Sequence, residues 1–289
     1  MLSRKRFIRQ TALSAGAILA GPSIVNAAEY FSPLKLTILH TNDTHSRLEP
    51  FPMDGSRNQG LGGIAARAQL ITEIRQQEEQ VLLFDAGDIF QGTPYFNLYK
   101  GEPEIKAMSS MKYDATTIGN HDFDAGMENL ATQLTKHANF PMLIANYDFA
   151  GTPMEFKTQP YKIFKKGKLK VGVFGISIEG RGLIPDSLFG ATKYLDPIQK
   201  ANEVAGKLKA DEKCDMIICL SHLGNKYKET NMVSDEVLAK ETENVDLIIG
   251  GHTHTFLDEP IIYKNKKGDD VVVNQVGFAG IILGRLDFE

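Results

Sequence analysis

Six short apolar runs limit what this chain can fold into: LKLTIL (34–39), VLLF (81–84), DATTI (114–118), KVGVFGI (170–176), DMIICL (215–220) and VDLII (245–249). They lack the clean apolar–polar alternation, sustained along the run, of a strand with one wet face. Strands of this kind are covered on both sides, as in a parallel sheet packed between other layers. Amphipathic stretches separate them. Ile64, Ala68 and Ile71 share one helical face; Ile198, Ala201, Ala205 and Leu208 share another, opened by Asp196 as N-cap and Pro197 at the first helical position. Strands alternating with helices predict an α/β fold with substantial parallel pairing. PIIYKNKKGDDVVVNQV (260–276) reads as a hairpin and GIILGRLDF (280–288) as one further strand, so a second, partly antiparallel sheet is expected. No linker or composition shift interrupts the chain after about residue 30, and one domain is expected there.

Ligands in α/β folds bind beyond the carboxyl ends of the strands, and these ends carry an unusual set of side chains. HTNDTH brings Asp43 and His45, DAGDIFQG brings Asp88, and GNHDFD brings Asn120, His121, Asp122 and Asp124. SHLG brings His222, and GGHTHT brings His252 and His254. Five of the seven histidines fall at such ends, leaving only His40 and His137 elsewhere, which read as structural. A single histidine beside a strand is usually a hydrogen-bonded structural residue. Five of them, converging with two Asp and an Asn beside glycines that let backbones pass closely, point to a ligand set.

Carboxylate, imidazole and amide donors without thiolate suit borderline or hard divalent ions rather than a closed structural zinc site. Eight donors are too many for one tetrahedral ion. They fit two ions sharing a carboxylate about 3.5–4 Å apart, an arrangement suited to attack at phosphorus. Mn, Zn, Fe and Co all accept this donor set. Three neighbouring features have structural readings. Asp122 braces its loop, Asp85 holds a backbone amide or supports a ligand, and Gln91-Gly92 is accounted for by a turn as well as by substrate contact.

Taken together, Asp43-Thr-His45, Gly87-Asp88, Gly119-Asn120-His121-Asp122, His222 and Gly251-His252-Thr-His254 resemble the signature of the calcineurin-like metallophosphoesterases. Their wording is most similar to the 5′-nucleotidase and UDP-sugar hydrolase branch. The resemblance implies a four-layer α/β/β/α sandwich with two mixed sheets and the metals at the sheet edge. It implies that Asp43, His45, Asp88 and His254 hold one metal and that Asp88, Asn120, His222 and His252 hold the other, with Asp88 bridging. His254 stands where some members of the branch carry Gln. His121 matches the branch's catalytic histidine and Asp124 the acid that orients it. Spacing supports that pairing, because an acid three residues on can turn back around a tight loop and fix the imidazole tautomer. The nucleophile implied is a metal-bound water or hydroxide, and the implied substrates are phosphate monoesters, 5′-nucleotides first.

Phosphodiester, nucleotide-sugar pyrophosphate and thiosulfo-ester hydrolysis are alternative reactions on the same centre. A non-catalytic metal-binding subunit is a further alternative, against which the His121–Asp124 pair argues. Full-length nucleotidases of the branch also carry a C-terminal domain that binds the base. Its counterpart is expected either to be a separately encoded partner or to be dispensed with by a broad-specificity enzyme.

Residues 1–27 read as an export signal, with Arg4, Lys5, Arg6 and Arg9 before a weakly apolar stretch and Val25-Asn26-Ala27 as a cleavage site. SRKRFIR resembles a twin-arginine signal with Lys5 at the second arginine position; a general secretory signal also fits. The expected destination is periplasmic or extracellular, without a membrane anchor, and residues 28–289 form the catalytic domain. Removing four positive charges takes the formal net charge from −4 to about −8, which argues against bulk nucleic-acid binding. Cys214 and Cys219 read as core residues on opposite faces of one strand, too far apart at roughly 16 Å to form a disulfide.

Overall fold

The computed structural model describes residues 35–229 and 232–289. The export signal lies outside the described residues. Two six-stranded mixed sheets are stacked face to face. In the first, β1 (Leu36–Thr41), β2 (Val81–Asp85), β3 (Ala115–Thr116), β4 (Met142–Leu143) and β6 (Thr158–Gln159) run parallel, and β14 (Gly284–Phe288) lies antiparallel beside β1. The second has the order β12 (Ile261–Lys264), β13 (Asp270–Asn274), β11 (Leu247–Gly250), β10 (Met216–His222), β8 (Leu169–Ser177) and β7 (Tyr161–Lys166). Its two outer pairs, β12 with β13 and β7 with β8, are antiparallel. A small ribbon pairs β5 (Tyr147–Asp148) with β9 (Lys193–Tyr194).

The strand sequences explain the layering. Successive side chains point to opposite faces, and both faces of these strands are apolar. Leu36 and Ile38 of β1, Leu82 and Phe84 of β2, and Met216, Ile218 and Leu220 of β10 meet in a buried cluster between the sheets. The intervening Leu39, Val81 and Leu83 turn outward to helices α1 (Ile64–Gln77), α2 (Pro94–Tyr99), α3 (Glu102–Ser110) and α4 (Met127–His137). On the other side Ile217, Cys219 and Ile248 face α5 (Pro197–Ala210) and α6 (Asp235–Glu241). Three apolar clusters between four layers make the expected α/β/β/α sandwich.

The helix signals hold in detail. Asp196 caps α5 by accepting from Gln199 N at 2.7 Å, and Ala201, Ala205 and Leu208 are buried. On α1 the buried face includes Ile71 and Ile74 together with Arg67, a cation on the same helical stripe as these apolar residues. The predicted hairpin is β12–β13. The last strand belongs to the first sheet, where Leu36 pairs with Phe288 and His40 with Gly284. Cys214 and Cys219 are free and buried, but in one cluster rather than on opposite faces, because Cys214 precedes the first residue of β10. His40 is buried, accepts from Asn274 Nδ2 at 3.0 Å, and is pushed down to about 4 by burial, which fits its structural reading.

The sheets approach closely at Gly175 of β8. Its carbonyl accepts from Ala145 N at 2.8 Å, and a Cβ placed on it would lie 1.9 Å from the Leu143 carbonyl oxygen. Gly175→Ala must therefore move backbone in one sheet or the other. We expect a loss of at least about 2 kcal/mol of stability, read as a lower urea midpoint at unchanged slope.

Candidate metal centre

β1, β2 and β3 of one sheet and β10 and β11 of the other end on the same side, and every candidate residue lies at those ends. Backbone conformation aims several of them. Asp43, His45, Asp88, His252 and His254 all have positive φ, between 46 and 73°. Non-glycine residues seldom adopt this region, and each costs of order 1–3 kcal/mol where structure imposes it.

Asp43, His45 and His254 form one cluster of converging donor atoms, and Asp88, His222 and His252 a second. His254 Nε2 lies 3.3 Å from Asp43 Oδ1 and 2.9 Å from His45 Nε2. Asp88 lies between the clusters, with Oδ2 3.1 Å from His222 Nε2 and 4.0 Å from His45 Nε2. Asn120 joins the second cluster, its Oδ1 2.8 Å from His252 Nδ1. The His252 backbone N–H donates to both Asp43 carboxylate oxygens at 3.0 Å, so each cluster holds the other's loop.

These donors fit divalent ions. His45 gives its Nδ1–H to the Phe90 carbonyl at 3.1 Å, and His222 gives its Nδ1–H to the Ala86 carbonyl at 2.6 Å. Both tautomers are thereby fixed with the Nε2 lone pair turned inward, the second-sphere arrangement typical of metal-binding histidines. His222 Nε2 is fully buried and has no hydrogen-bond partner. Burial lowers the pKa of His45, and burial with neighbouring His222 holds His252 down at about 4, keeping both as neutral ligands. Burial also opposes charge on His222, but the Asp88 carboxylate outweighs it and lifts the imidazole to about 10. A divalent ion would take the place of that proton, and binding would release it.

The pair beside the clusters is formed as spacing predicted. His121 Nδ1 lies 2.9 Å from Asp124 Oδ2, so Nδ1 carries the proton and Nε2 is left for a ligand. That hydrogen bond raises the His121 pKa against the opposing effect of partial burial. The His121 backbone N–H donates to Asp88 Oδ1 at 2.7 Å, and its ring centroid lies 5.4 Å from that of His45.

Asp122 is the brace it was expected to be. Fully buried, its carboxylate accepts from the N–H groups of Gly119, Asp88, Ile89 and Phe90 at 2.8–3.2 Å. Burial and the nearby Asp88 charge push it up to about 7, against the pull of these amides. Asp85 holds the Gly87 amide at 2.9 Å. Gln91 caps its own turn through Gly92 N, as the turn reading has it. Gly119 is required by close approach, since a Cβ there would lie 2.1 Å from Asp88 Oδ1.

Sequence reasoning missed Asn42, whose Nδ2 donates to Asp43 Oδ2 at 2.6 Å, and the segment 275–279, which packs behind the first cluster. The signal was present: VVVNQVGFAG is another apolar run ending in polar residues and glycine.

The model of the family described as Calcineurin-like phosphoesterase matches residues 36–256. The chain is 36% identical to a snake venom 5′-nucleotidase of Crotalus adamanteus over 272 residues, 88% of this chain and 45% of that protein. It is 36% identical to a 5′-nucleotidase of Vibrio cholerae over 313 residues, 99% of this chain and 55% of that one. The crystal structure of a 5′-nucleotidase precursor from Thermus thermophilus superposes with a TM-score of 0.77 at 33% identity, covering 88% of this chain and 51% of that chain. The chain thus spans about half the length of these relatives. Among the described residues no helix is long and apolar enough to cross a membrane.

Asp122→Ala would leave four backbone donors unpaired in a dry site, each costing about 1–3 kcal/mol. We expect a loss of at least about 3 kcal/mol in urea unfolding, with bound divalent metal falling below that of the unaltered protein in elemental analysis.

Proposed function

The chain belongs to the calcineurin-like phosphoesterase family, and from that premise we propose that it is an exported, dinuclear metal-dependent hydrolase of phosphate monoesters, with 5′-nucleotides as substrates. The observation that carries this reading is the contact between His121 and Asp88. It sets a histidine–carboxylate pair directly against the one carboxylate that lies between two clusters of metal-ligand type. In this reading Asp43, His45, Asp88 and His254 hold one ion, and Asp88, Asn120, His222 and His252 the other.

Two ions held there supply Lewis acidity, lowering the pKa of water and neutralising charge on phosphoryl oxygens. The chain's own residues do the rest. His121, whose protonated form the Asp124 hydrogen bond favours, donates from Nε2 to a phosphoryl or leaving-group oxygen as negative charge grows. Asp124 fixes the ring orientation. The backbone tie to Asp88 keeps the imidazole in register with the ions. A module that only bound metal would have no use for this pair.

The relatives named as 5′-nucleotidases support nucleotides as the substrate class. The basic-then-apolar opening around Arg4, Lys5, Arg6 and Arg9 supports export, with residues 28–289 as the catalytic unit.

Purified protein should be assayed with and without Mn²⁺ on 5′-AMP, ATP, UDP-glucose, a cyclic nucleotide and bis-p-nitrophenyl phosphate. Release of phosphate from 5′-AMP exceeding every other rate is expected; faster diester cleavage would overturn the monoester assignment. His121→Ala should lower kcat by about 10²–10⁴ while leaving two metals per chain. Loss of the metals with it would contradict the separate roles given to His121 and the ligands.

A further inference from the structure

The segment 275–279, Gln-Val-Gly-Phe-Ala, follows β13 and contributes no candidate metal donor, yet it touches both loops of the first cluster. The Ala279 N–H donates to the Asp43 carbonyl at 2.7 Å. Asn42 is gripped from both sides: its Oδ1 accepts from Val276 N at 3.0 Å, and its Nδ2 donates to the Gly277 carbonyl and to Asp43 Oδ2, each at 2.6 Å. Gly277 N donates to the Thr255 carbonyl at 2.9 Å, next to His254. The Phe278 ring lies parallel to the His254 imidazole, with centroids 5.1 Å apart and planes at 15°.

Gln275 performs a related task one step back. Fully buried, it accepts on Oε1 from Thr253 Oγ1 at 3.0 Å and from Thr255 N at 2.6 Å, and donates to the Gly251 carbonyl. These bonds cross the turn that holds both His252 and His254 in the left-handed region. Gln275 therefore bears on both clusters. Phe278 bears on the first through His254, whereas Ala279 holds Asp43, whose carboxylate also accepts from His252 N.

The other ligands are held differently. His222 lies within β10 and is oriented by the Ala86 carbonyl, and the Asp88 loop is held by Asp122. These two histidines also differ in exposure: the His222 side chain is 0% exposed and that of His254 is 40%. A solvent-facing imidazole has few walls to restrict its rotamer, and a stacked ring supplies one.

We propose that the segment 275–279 is a positioning clip for the first metal ion. Phe278 fixes the His254 ring, and Asn42 with Ala279 fixes Asp43; of these contacts, that of Phe278 bears on a ligand of the first ion alone. The proposal rests on the metal-centre reading above. Its consequence is two unequal metal positions, an exposed one whose affinity is set by the clip and a buried one that is not.

The test is equilibrium dialysis of metal-stripped full-length protein against graded Mn²⁺, with metal per chain measured directly and melting temperature of the metal-free protein recorded alongside. The unaltered chain should show two binding steps. Phe278→Leu, which keeps apolar bulk but removes the ring face, should weaken one step by about tenfold or more, leaving the other step and the metal-free melting temperature in place. Gln275→Met, which removes the bonds across the shared turn, should weaken both steps. An effect of Phe278→Leu on both steps alike, or on neither, would overturn the clip. Fewer than two steps in the unaltered chain would overturn the metal-centre reading itself, and the clip with it.

Discussion

Everything at the candidate centre is referred to one buried carboxylate, that of Asp122, and the four amides it accepts. Three of those amides belong to the turn after β2 and one to the turn after β3. The Asp88 carboxylate returns the tie by accepting from His121 N. Two adjacent strand ends are thus locked by reciprocal carboxylate-to-amide bonds, and the distance between Asp88 and the His121–Asp124 pair ceases to be adjustable. A side chain longer than hydrogen at position 119 could not fit between them, which is why a glycine opens the GNHD turn. A carboxylate buried this deeply is tolerated because its acceptor capacity is met by backbone donors held at fixed positions.

The ligand loops are strained, and the strain has a size. Five non-glycine residues with positive φ, at roughly 1–3 kcal/mol each, represent a burden comparable to the roughly 5–15 kcal/mol net stability of an ordinary domain. Such a burden persists only if the surrounding scaffold over-determines the loops. The three apolar clusters do this, since β1, β2, β10 and β11 each place side chains in two clusters at once and cannot shift without disturbing both. What the strain secures is direction. Left-handed turns point Asp43, His45, His252 and His254 back over the sheet ends instead of letting them follow the strands outward.

Much of this was legible in the sequence because it is local. An apolar run reports a doubly covered strand, and the polar residues just after it report the loop at its carboxyl end; no long-range knowledge is needed to list Asp43, Asp88, Asn120, His222 or His252. The His121–Asp124 bond spans three residues and Asp122 reaches Gly119 across three, so both fell within reach of a spacing argument. Other features depend on partners distant in the chain. Arg67 lies on the buried stripe of its helix with Ile71 and Ile74, and what covers a cation there, the loops of the first cluster and α3, is set by distant parts of the chain. The strand from Gly284 leaves the hairpin that precedes it and pairs with β1, a choice made by the open edge of the first sheet rather than by its own residues. The clip of residues 275–279 grips Asn42 across 234 positions of sequence, and a bond of that span leaves no periodic trace.

Exposure then decides how a substrate meets the centre. In the second cluster His222, within a strand, and Asp88, beneath the loops, are buried, while His252 is half-buried. His254 and His121, whose side chains are 40% and 43% exposed, form the accessible side. In the proposed reading a phosphoryl group approaches from this face, which sets the proton donor beside the more exposed of the histidine ligands. In that reading a proton from His121 is available where a leaving oxygen departs toward solvent. The chemistry is built into the floor of the site by the sheets. Selection among phosphorylated molecules falls to whatever lies above the accessible face.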